Sequence, residues 1–467
     1  MAYEYKTKPY EHQRQALIKG AEKKDFAYFM EMGTGKTKVA IDNASYLYTQ
    51  NKITAVLVIA PNSVYRNWAN EIDIHCPVEH DVKIHKKNKI FDWNDSKLNF
   101  YLMNVEAFST TKAYKIIEKI IIKNYKEMMV IVDESTTIKN RAAKRTKNLT
   151  TICRIINYKR ILTGSPVTKS PLDLFSQCEF LDPNLLGYSN FYVFRAKYCV
   201  MRNITVGGSR QVPLPMYYTN LEDLEAKLKN FSYRVRKEEC LDLPEKVYVK
   251  RFVQLKGQQL EVYSDLKKYA RALLENEEAS YANKLTEILK LHQVCCGYFV
   301  SDEGIKKNID NPKLDELFNI IDENEGKIII WANYIHSLET IIDKLEKKFG
   351  KESTVAIYGA VSVEQRQEAV KQFQENEKTR FFVGNPVTGG YGLNLTKAHT
   401  VIYFSNSYDL EVRQQSEDRA HRIGQTSKVT YIDIIAQGTI DEFIIKALNN
   451  KIKISAQTLG EDVLTFL

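Results

Sequence analysis

Short aliphatic and β-branched runs recur along the chain, each followed by a polar stretch compatible with a helix: AVLVIAP at 55–61, MMVIVDE at 128–134, KRILTG at 159–164, KIIIWAN at 327–333, RFFVGN at 380–385 and HTVIYFS at 399–405. Apolar runs of this length predict strands buried on both faces, the arrangement of parallel sheets wrapped by helices. They fall into two groups, so the pattern predicts two α/β lobes in tandem. Between the groups, residues 180–310 lose the rhythm and turn aromatic, basic and then helix-like, with GGS at 207–209 and LPEK at 243–246 as loop punctuation. The first lobe is expected over 1–235 with a helical insertion around 180–235, and the second over 236–467 with a linker and helical insertion around 236–320.

Composition changes this picture little. A chain of 467 residues with 44% hydrophobic and 27% charged residues is an ordinary globular chain too long for one core. Its net charge of +9 suits a polyanionic partner without requiring one. Seven cysteines without zinc-ribbon spacing predict a reducing compartment and no structural metal. No apolar run reaches the roughly 18 residues a bilayer span needs, and the first residues lack the apolar core of a signal peptide. The expectation is a cytoplasmic protein with no membrane partner.

Candidate chemistry begins at residues 32–37, Met-Gly-Thr-Gly-Lys-Thr, between the apolar stretch 26–30 and a helix-compatible KVAIDNASYLY. A glycine-rich turn between strand and helix lets backbone N–H groups close round phosphates; Gly33, Thr34 and Gly35 would form it, Lys36 would reach the β and γ phosphates, and Thr37 would ligate magnesium. The full eight-residue phosphate-loop pattern wants glycine where Met30 stands, so the match is to the shorter GxGKT form. An apolar run ends in Asp133 and Glu134, two adjacent acids suited to holding magnesium and to orienting and deprotonating a water. Far along the chain, QSEDRAHRIGQ at 415–425 places Arg419 and Arg422 three apart, on one face of an expected helix, where both could point at a triphosphate. Hydrolysis would then depend on closure of the two lobes over ATP.

With these residues in hand, the chain resembles the Swi/Snf-type DNA translocases of helicase superfamily two over nearly its whole length. The ordered motifs are Lys8-Pro9-Tyr10 with Gln13, EMGTGKT at 31–37, VLVIAPNSVYRNWANEI at 56–72, VDESTTIKN at 132–140, LTGSP at 162–166, KIIIWANYIHSL at 327–338, GGYGLNL at 389–395 and QQSEDRAHRIGQ at 414–425. The resemblance implies two RecA-like parallel-sheet lobes with helical insertions between them. It makes Gln13 the adenine-reading glutamine, Lys36 and Thr37 the phosphate and magnesium contacts, Asp133 and Glu134 the catalytic acids, and Arg419 and Arg422 arginine fingers. Residues 163–165 would relay nucleotide state to a DNA track, and Asn62, Ser63, Asn104, Asn333, Thr388 and Asn394 are candidate phosphate contacts to double-stranded DNA.

The departures matter as well. Ser135 and Thr136 stand where the family has a small residue and then histidine, a serine that is similar to the strand-annealing branch. Tyr408-Asp409-Leu410 replaces the usual Trp-Asn-Pro, leaving Tyr408 to do the aromatic packing. No chromatin-reading domain fits within this length, so the resemblance implies a minimal, monomeric motor of a bacterial cell or phage-infected host, using ATP and magnesium. Three functions are compatible with it: a duplex translocase that displaces or remodels bound proteins or forks, a strand-separating DNA or RNA helicase, and an ATP-gated clamp that binds DNA or a polymerase. The aromatic and basic segment 188–218 either grips nucleic acid or packs onto the first lobe.

Overall fold

The computed structural model describes residues 3–61, 64–65, 67–85, 96–110, 115, 117–118, 127–188, 190–206, 210–240, 242–275, 281–300, 304–359, 361–389 and 393–461. The chain divides into two compact units, one of residues 1–200, 217–242 and 453–467, the other of residues 201–216 and 243–452.

The strands β1 (Asp25–Met30), β2 (Ala55–Ala60), β3 (His80–Ile84), β4 (Leu98–Asn104), β5 (Met128–Asp133) and β6 (Tyr158–Leu162) precede the two-stranded ribbon of β7 (Cys199–Val206) and β8 (Arg210–Tyr218), and β9 (Ser232–Val235) follows it. The first unit's sheet has seven strands in the order β3-β4-β2-β5-β6-β1-β9, and every pairing in it is parallel. Alternate residues feed two separate cores. Phe29, Leu57, Ile59, Val130, Val132 and Ile161 enter one, whereas Tyr28, Met30, Val56, Val58, Ile131 and Leu162 enter the other. Both faces are covered, which is why these strands read as continuous apolar runs.

The second unit holds β10 (Lys246–Val253), a small antiparallel pair of β11 (Tyr298–Val300) and β12 (Lys306–Asn308), then β13 (Lys327–Trp331), β14 (Thr354–Ile357), β15 (Phe381–Gly384), β16 (Ala398–Tyr403) and β17 (Val429–Ala436). Its six-stranded sheet runs β10-β17-β16-β13-β15-β14, again with every pairing parallel. Ile328, Ile330, Val383 and Ile402 pack on one face, and Ile329, Trp331, Phe382 and Val401 on the other. Two parallel-sheet α/β lobes are therefore present.

Where a helical insertion is expected around 180–235, the structure is mixed. The helix Phe191–Tyr198 buries Phe194 and Tyr198 in the first unit's core, the β7–β8 ribbon follows, and after the helix Leu221–Lys229 the chain adds β9 to the sheet edge beside β1. Cys199–Val206 is rich in strand formers, Arg210–Tyr218 forms a strand with it despite Pro213 and Pro215, and β9 acquires its partner only through tertiary pairing. In the expected linker, β10 pairs with β17 along its whole length. Among the described residues no helix is long and apolar enough to cross a membrane.

Candidate functional site

The chain leaves β1 through Glu31 and Met32 into Gly33 and Gly35, whose φ angles of 82° and 85° lie in the left-handed region that glycine reaches without strain. Gly35 caps the helix Lys36–Thr49, so the first backbone N–H groups of that helix and its dipole face the loop. A Cβ on Gly35 would stand 2.1 Å from Gln13 Nε2. The missing side chain admits Gln13, which donates to the Thr34 carbonyl at 3.1 Å while its Oε1 accepts from the Tyr10 N–H at 3.0 Å. His12 Nε2 reaches the same Thr34 carbonyl at 2.8 Å. Gln13 and the loop are thus built as one piece. Lys36 is buried, with its Nζ 3.5 Å from the Glu31 carbonyl that also accepts from Thr34 Oγ1 at 2.7 Å.

Asp133 ends β5 and is buried; Glu134 follows in a left-handed conformation at φ 48° and ψ 62°. A non-glycine residue held there costs on the order of 1 kcal/mol or more, and it turns the chain sharply at the sheet edge. Asp133 Oδ2 accepts from the Trp68 indole at 2.8 Å, and Oδ1 accepts from the Glu134 N–H at 2.9 Å. Burial pushes the Asp133 carboxyl above the ordinary range, while the Lys36 charge and these two hydrogen bonds pull the other way. A buried carboxylate whose oxygens each keep a lone pair, and the oxygen-bearing Thr37 at the helix start, fit magnesium, which takes few protein ligands and completes its shell with water and phosphate oxygens. Among the described residues no cluster of three or more His, Cys, Asp or Glu able to hold a metal occurs.

The segment 163–165 lies against the same loop. A Cβ on Gly164 would meet the Met32 backbone nitrogen at 3.0 Å and the Glu31 Cα at 3.2 Å. Ser135, where the resemblance wants a small residue, donates to Gln177 Oε1 at 2.7 Å, and Gln177 Nε2 reaches the Pro166 carbonyl at 2.9 Å. The acidic strand end is therefore joined to the LTGSP segment through Gln177 despite the missing histidine.

In the second unit the helical reading of Arg419 and Arg422 needs correction. The helix Leu410–Glu417 stops before both arginines, which lie in turns. The Arg419 carbonyl accepts from the Leu395 N–H at 3.0 Å, Arg422 Nη1 reaches the Leu393 carbonyl at 3.3 Å, and Gln425 Nε2 donates to the carbonyls of Thr396, Ala398 and Ala420. These tertiary bonds to the segment before β16 replace the next helical turn, and Gly424 at φ 99° completes the reversal. Arg419 is buried and Arg422 is partly exposed.

Behind the turn is a buried charge network. Arg413 stacks on Tyr403 at 3.5 Å, donates to Glu417 at 2.7 Å and to Asn406 at 2.7 Å, and makes a two-point contact with Asp433 at 2.5 and 3.2 Å. Glu417 also accepts from Lys246 at 3.2 Å and Tyr248 at 2.8 Å. Burial alone would raise the Glu417 carboxyl, but Lys246 and Arg413 outweigh it and hold the group below its usual value.

Of the candidate DNA contacts, Asn62, Ser63 and the side chain of Thr388 lie outside the described residues. Asn104, at the end of β4, spends its Oδ1 on the Glu106 N–H at 2.7 Å. Asn333, two residues beyond β13, gives its N–H to Ser405 Oγ at 2.9 Å and its carbonyl accepts from Asn385 Nδ2 at 2.8 Å, and Asn394 is exposed. Asn104 and Asn333 sit at carboxyl ends of parallel strands, the edge where open α/β sheets bind ligands.

The sequence reading passed over three contributors. Arg234 on β9 donates to the Gly164 carbonyl at 2.8 Å and the Phe29 carbonyl at 3.3 Å, and pairs with Glu31 at 3.4 Å and Glu461 at 2.6 Å. Trp68 and Arg413 are the others. Local spacing marks neither Arg234 nor Trp68, whose partners come from distant segments, and although Glu417 follows Arg413 by one helical turn, Asp433 reaches Arg413 only in the folded sheet.

The model of the SNF2-related domain matches residues 28–299, more than half of the chain. The chain belongs to the SNF2-related family. A helicase conserved C-terminal domain follows at 312–424, and this pairing of domains marks an ATP-hydrolysing enzyme. An uncharacterized ATP-dependent helicase of Mycoplasma genitalium is 28% identical over 93% of this chain and 40% of its own length. A DNA annealing helicase and endonuclease of Bos taurus is 29% identical over 92% of this chain and 38% of its own. The chain thus spans about two-fifths of the length of these curated relatives. A solved structure described as the Sulfolobus solfataricus SWI2/SNF2 ATPase core in complex with dsDNA aligns over 98% of this chain and 95% of that one, at 24% identity and a TM-score of 0.43.

Proposed function

We propose that this SNF2-related chain is a motor that hydrolyses ATP to move along double-stranded DNA and to displace or remodel what is bound there. The observation that supports the reading is the glycine-rich loop joined to Gln13 on one side and packed against Gly164 on the other, so that phosphates held by the loop would bear on both. In this reading Gln13 meets the adenine, backbone N–H groups at Gly33–Thr37 and Lys36 hold the phosphates, and Glu134 orients the attacking water and takes its proton. The water oxygen bonds to the γ-phosphorus as the bond to ADP's oxygen breaks, leaving ADP and phosphate. Magnesium, held by Thr37 and Asp133, neutralises phosphate charge when bound. Arg419 and Arg422 supply positive charge to the transition state, Arg413 and Glu417 fixing the backbone they leave from.

A binder of the DNA backbone displaces counterions, so stimulation by duplex DNA should weaken steeply with added salt and depend little on base sequence. ATPase assays with duplex DNA, single-stranded DNA and RNA, run beside triplex-displacement and strand-separation assays, test the reading. Duplex-stimulated turnover with triplex displacement and no strand separation is expected; stimulation by RNA alone would overturn it.

A further inference from the structure

The helix Phe191–Tyr198 carries an exposed cationic and aromatic cluster that the nucleotide site does not use. Its underside is fixed in the first unit's core by Phe194 and Tyr198. Its outer side presents Tyr192, 58% exposed, beside the partly buried Phe191. Two guanidinium groups lie over these rings: Arg141 is 4.7 Å from the Phe191 centroid and 5.3 Å from that of Tyr192, and Arg195 is 5.2 Å from Tyr192 and 6.0 Å from Phe191. Arg141 comes from the loop after β5, so the cluster joins two segments far apart in sequence.

Neither arginine has a carboxylate within ion-pair distance among the described residues. A guanidinium lying on an aromatic face keeps its in-plane N–H donors free and gives up much of its rotamer freedom before any ligand arrives. Both rings are already used as beds for cations, so the cluster suits a ligand that offers oxygens to the guanidinium edges, not one that stacks a base. The helix start adds its dipole: Asn190 caps it by accepting from the Tyr192 N–H at 2.7 Å.

We propose that Arg141 and Arg195, held by Phe191 and Tyr192, form a second point of attachment to the phosphate backbone of duplex DNA, outside the nucleotide site and outside the asparagine, serine and threonine candidates. The inference rests on the reading of the chain as a duplex DNA motor, and a chain with net charge +9 supplies the matching sign. The two phosphates would be gripped through charge and fixed geometry, without base readout.

The test uses the full chain and a fluorescently labelled duplex of mixed sequence, with anisotropy titrations across a salt series. Replacing both residues, Arg141→Gln with Arg195→Gln, should weaken binding about tenfold at low salt and flatten the log–log salt dependence by ~0.9 for each phosphate that is no longer neutralised. Tyr192→Leu keeps both charges and removes their bed, so it should weaken binding with little change in slope. ATP turnover without DNA and the melting temperature should stay at wild-type values in both variants. Wild-type affinity and slope in the double variant would overturn the inference while leaving the motor reading intact. Absence of duplex binding by the wild type would overturn both. Competition by polyglutamate as effective as that by duplex DNA at equal charge would overturn it as well, assigning the cluster to an acidic protein instead.

Discussion

The Trp68 indole N–H donates to Asp133 Oδ2 at 2.8 Å, joining a helix residue to the acid at the end of β5. This hydrogen bond is one of the forces that lower the Asp133 carboxyl against the upward push of burial. Trp68→Phe should therefore raise that group further, moving the acid limb of the kcat/KM profile to higher pH while leaving the plateau within a few fold of wild type. A pH–rate series checks the displacement.

The same burial predicts a trade between stability and function. A carboxyl raised in the folded state favours folding while protonated and loses that contribution as pH climbs through the raised value. Ionising Asp133 above that raised value is thus a cost to the fold. Asp133→Asn should abolish turnover yet melt at the same or a higher temperature at pH 7, with the difference shrinking as pH falls toward the ordinary carboxylate range. Thermal melts across pH measure it.

Lys36→Ala and Glu134→Gln should each reduce turnover by at least about a thousandfold, but for different reasons. Without Lys36 the phosphates lack their cation, so ATP affinity should fall. Without the Glu134 base the ground-state contacts remain, so ATP should bind and persist. Equilibrium binding of a fluorescent ATP analogue beside single-turnover hydrolysis separates the two.

For Arg419→Ala and Arg422→Ala the expected cost is in rate, about a thousandfold or more if each acts on the transition state, with ATP affinity changed far less. Turnover near wild type in both would return them to a structural turn. Titrations of turnover against ATP and against DNA distinguish these outcomes.

Arg413 is buried between Asp433 and Glu417, and removing one member of such a network leaves uncompensated charge. Arg413→Met should destabilise the protein by about 3–5 kcal/mol, the usual cost of breaking a buried pair. Combined with Asp433→Asn and Glu417→Gln, part of that stability should return. Denaturant unfolding of the single and triple variants measures the recovery.

The local structure of the first unit's candidate site was legible because it is local. Gly33 to Gly35 form one turn between β1 and a helix that starts at Lys36, and the acids close an apolar strand, so residue type and order specify both. The strands buried on two faces were legible for the same reason: β2, β5, β6, β13, β15 and β16 carry their signal in consecutive residues. The edge strands β9 and β10 do not. β10 mixes charged and apolar residues without a regular period, and only its pairing with β17 makes it part of the sheet.

The sequence by itself determined two parallel-sheet lobes, the glycine-rich turn into a helix, the acidic strand end and the family motifs, since periodicity, turn residues and short motifs act over a few neighbouring positions. Tertiary structure alone decided where the arginine segment stops being a helix, because the backbone at Leu393 and Leu395 and the buried Gln425 compete with the next helical turn. It alone decided that Arg234 ties Glu31 to Gly164 and that Trp68 reaches Asp133. Such contacts depend on which distant strands become neighbours in the sheet, and no spacing along the chain records that order.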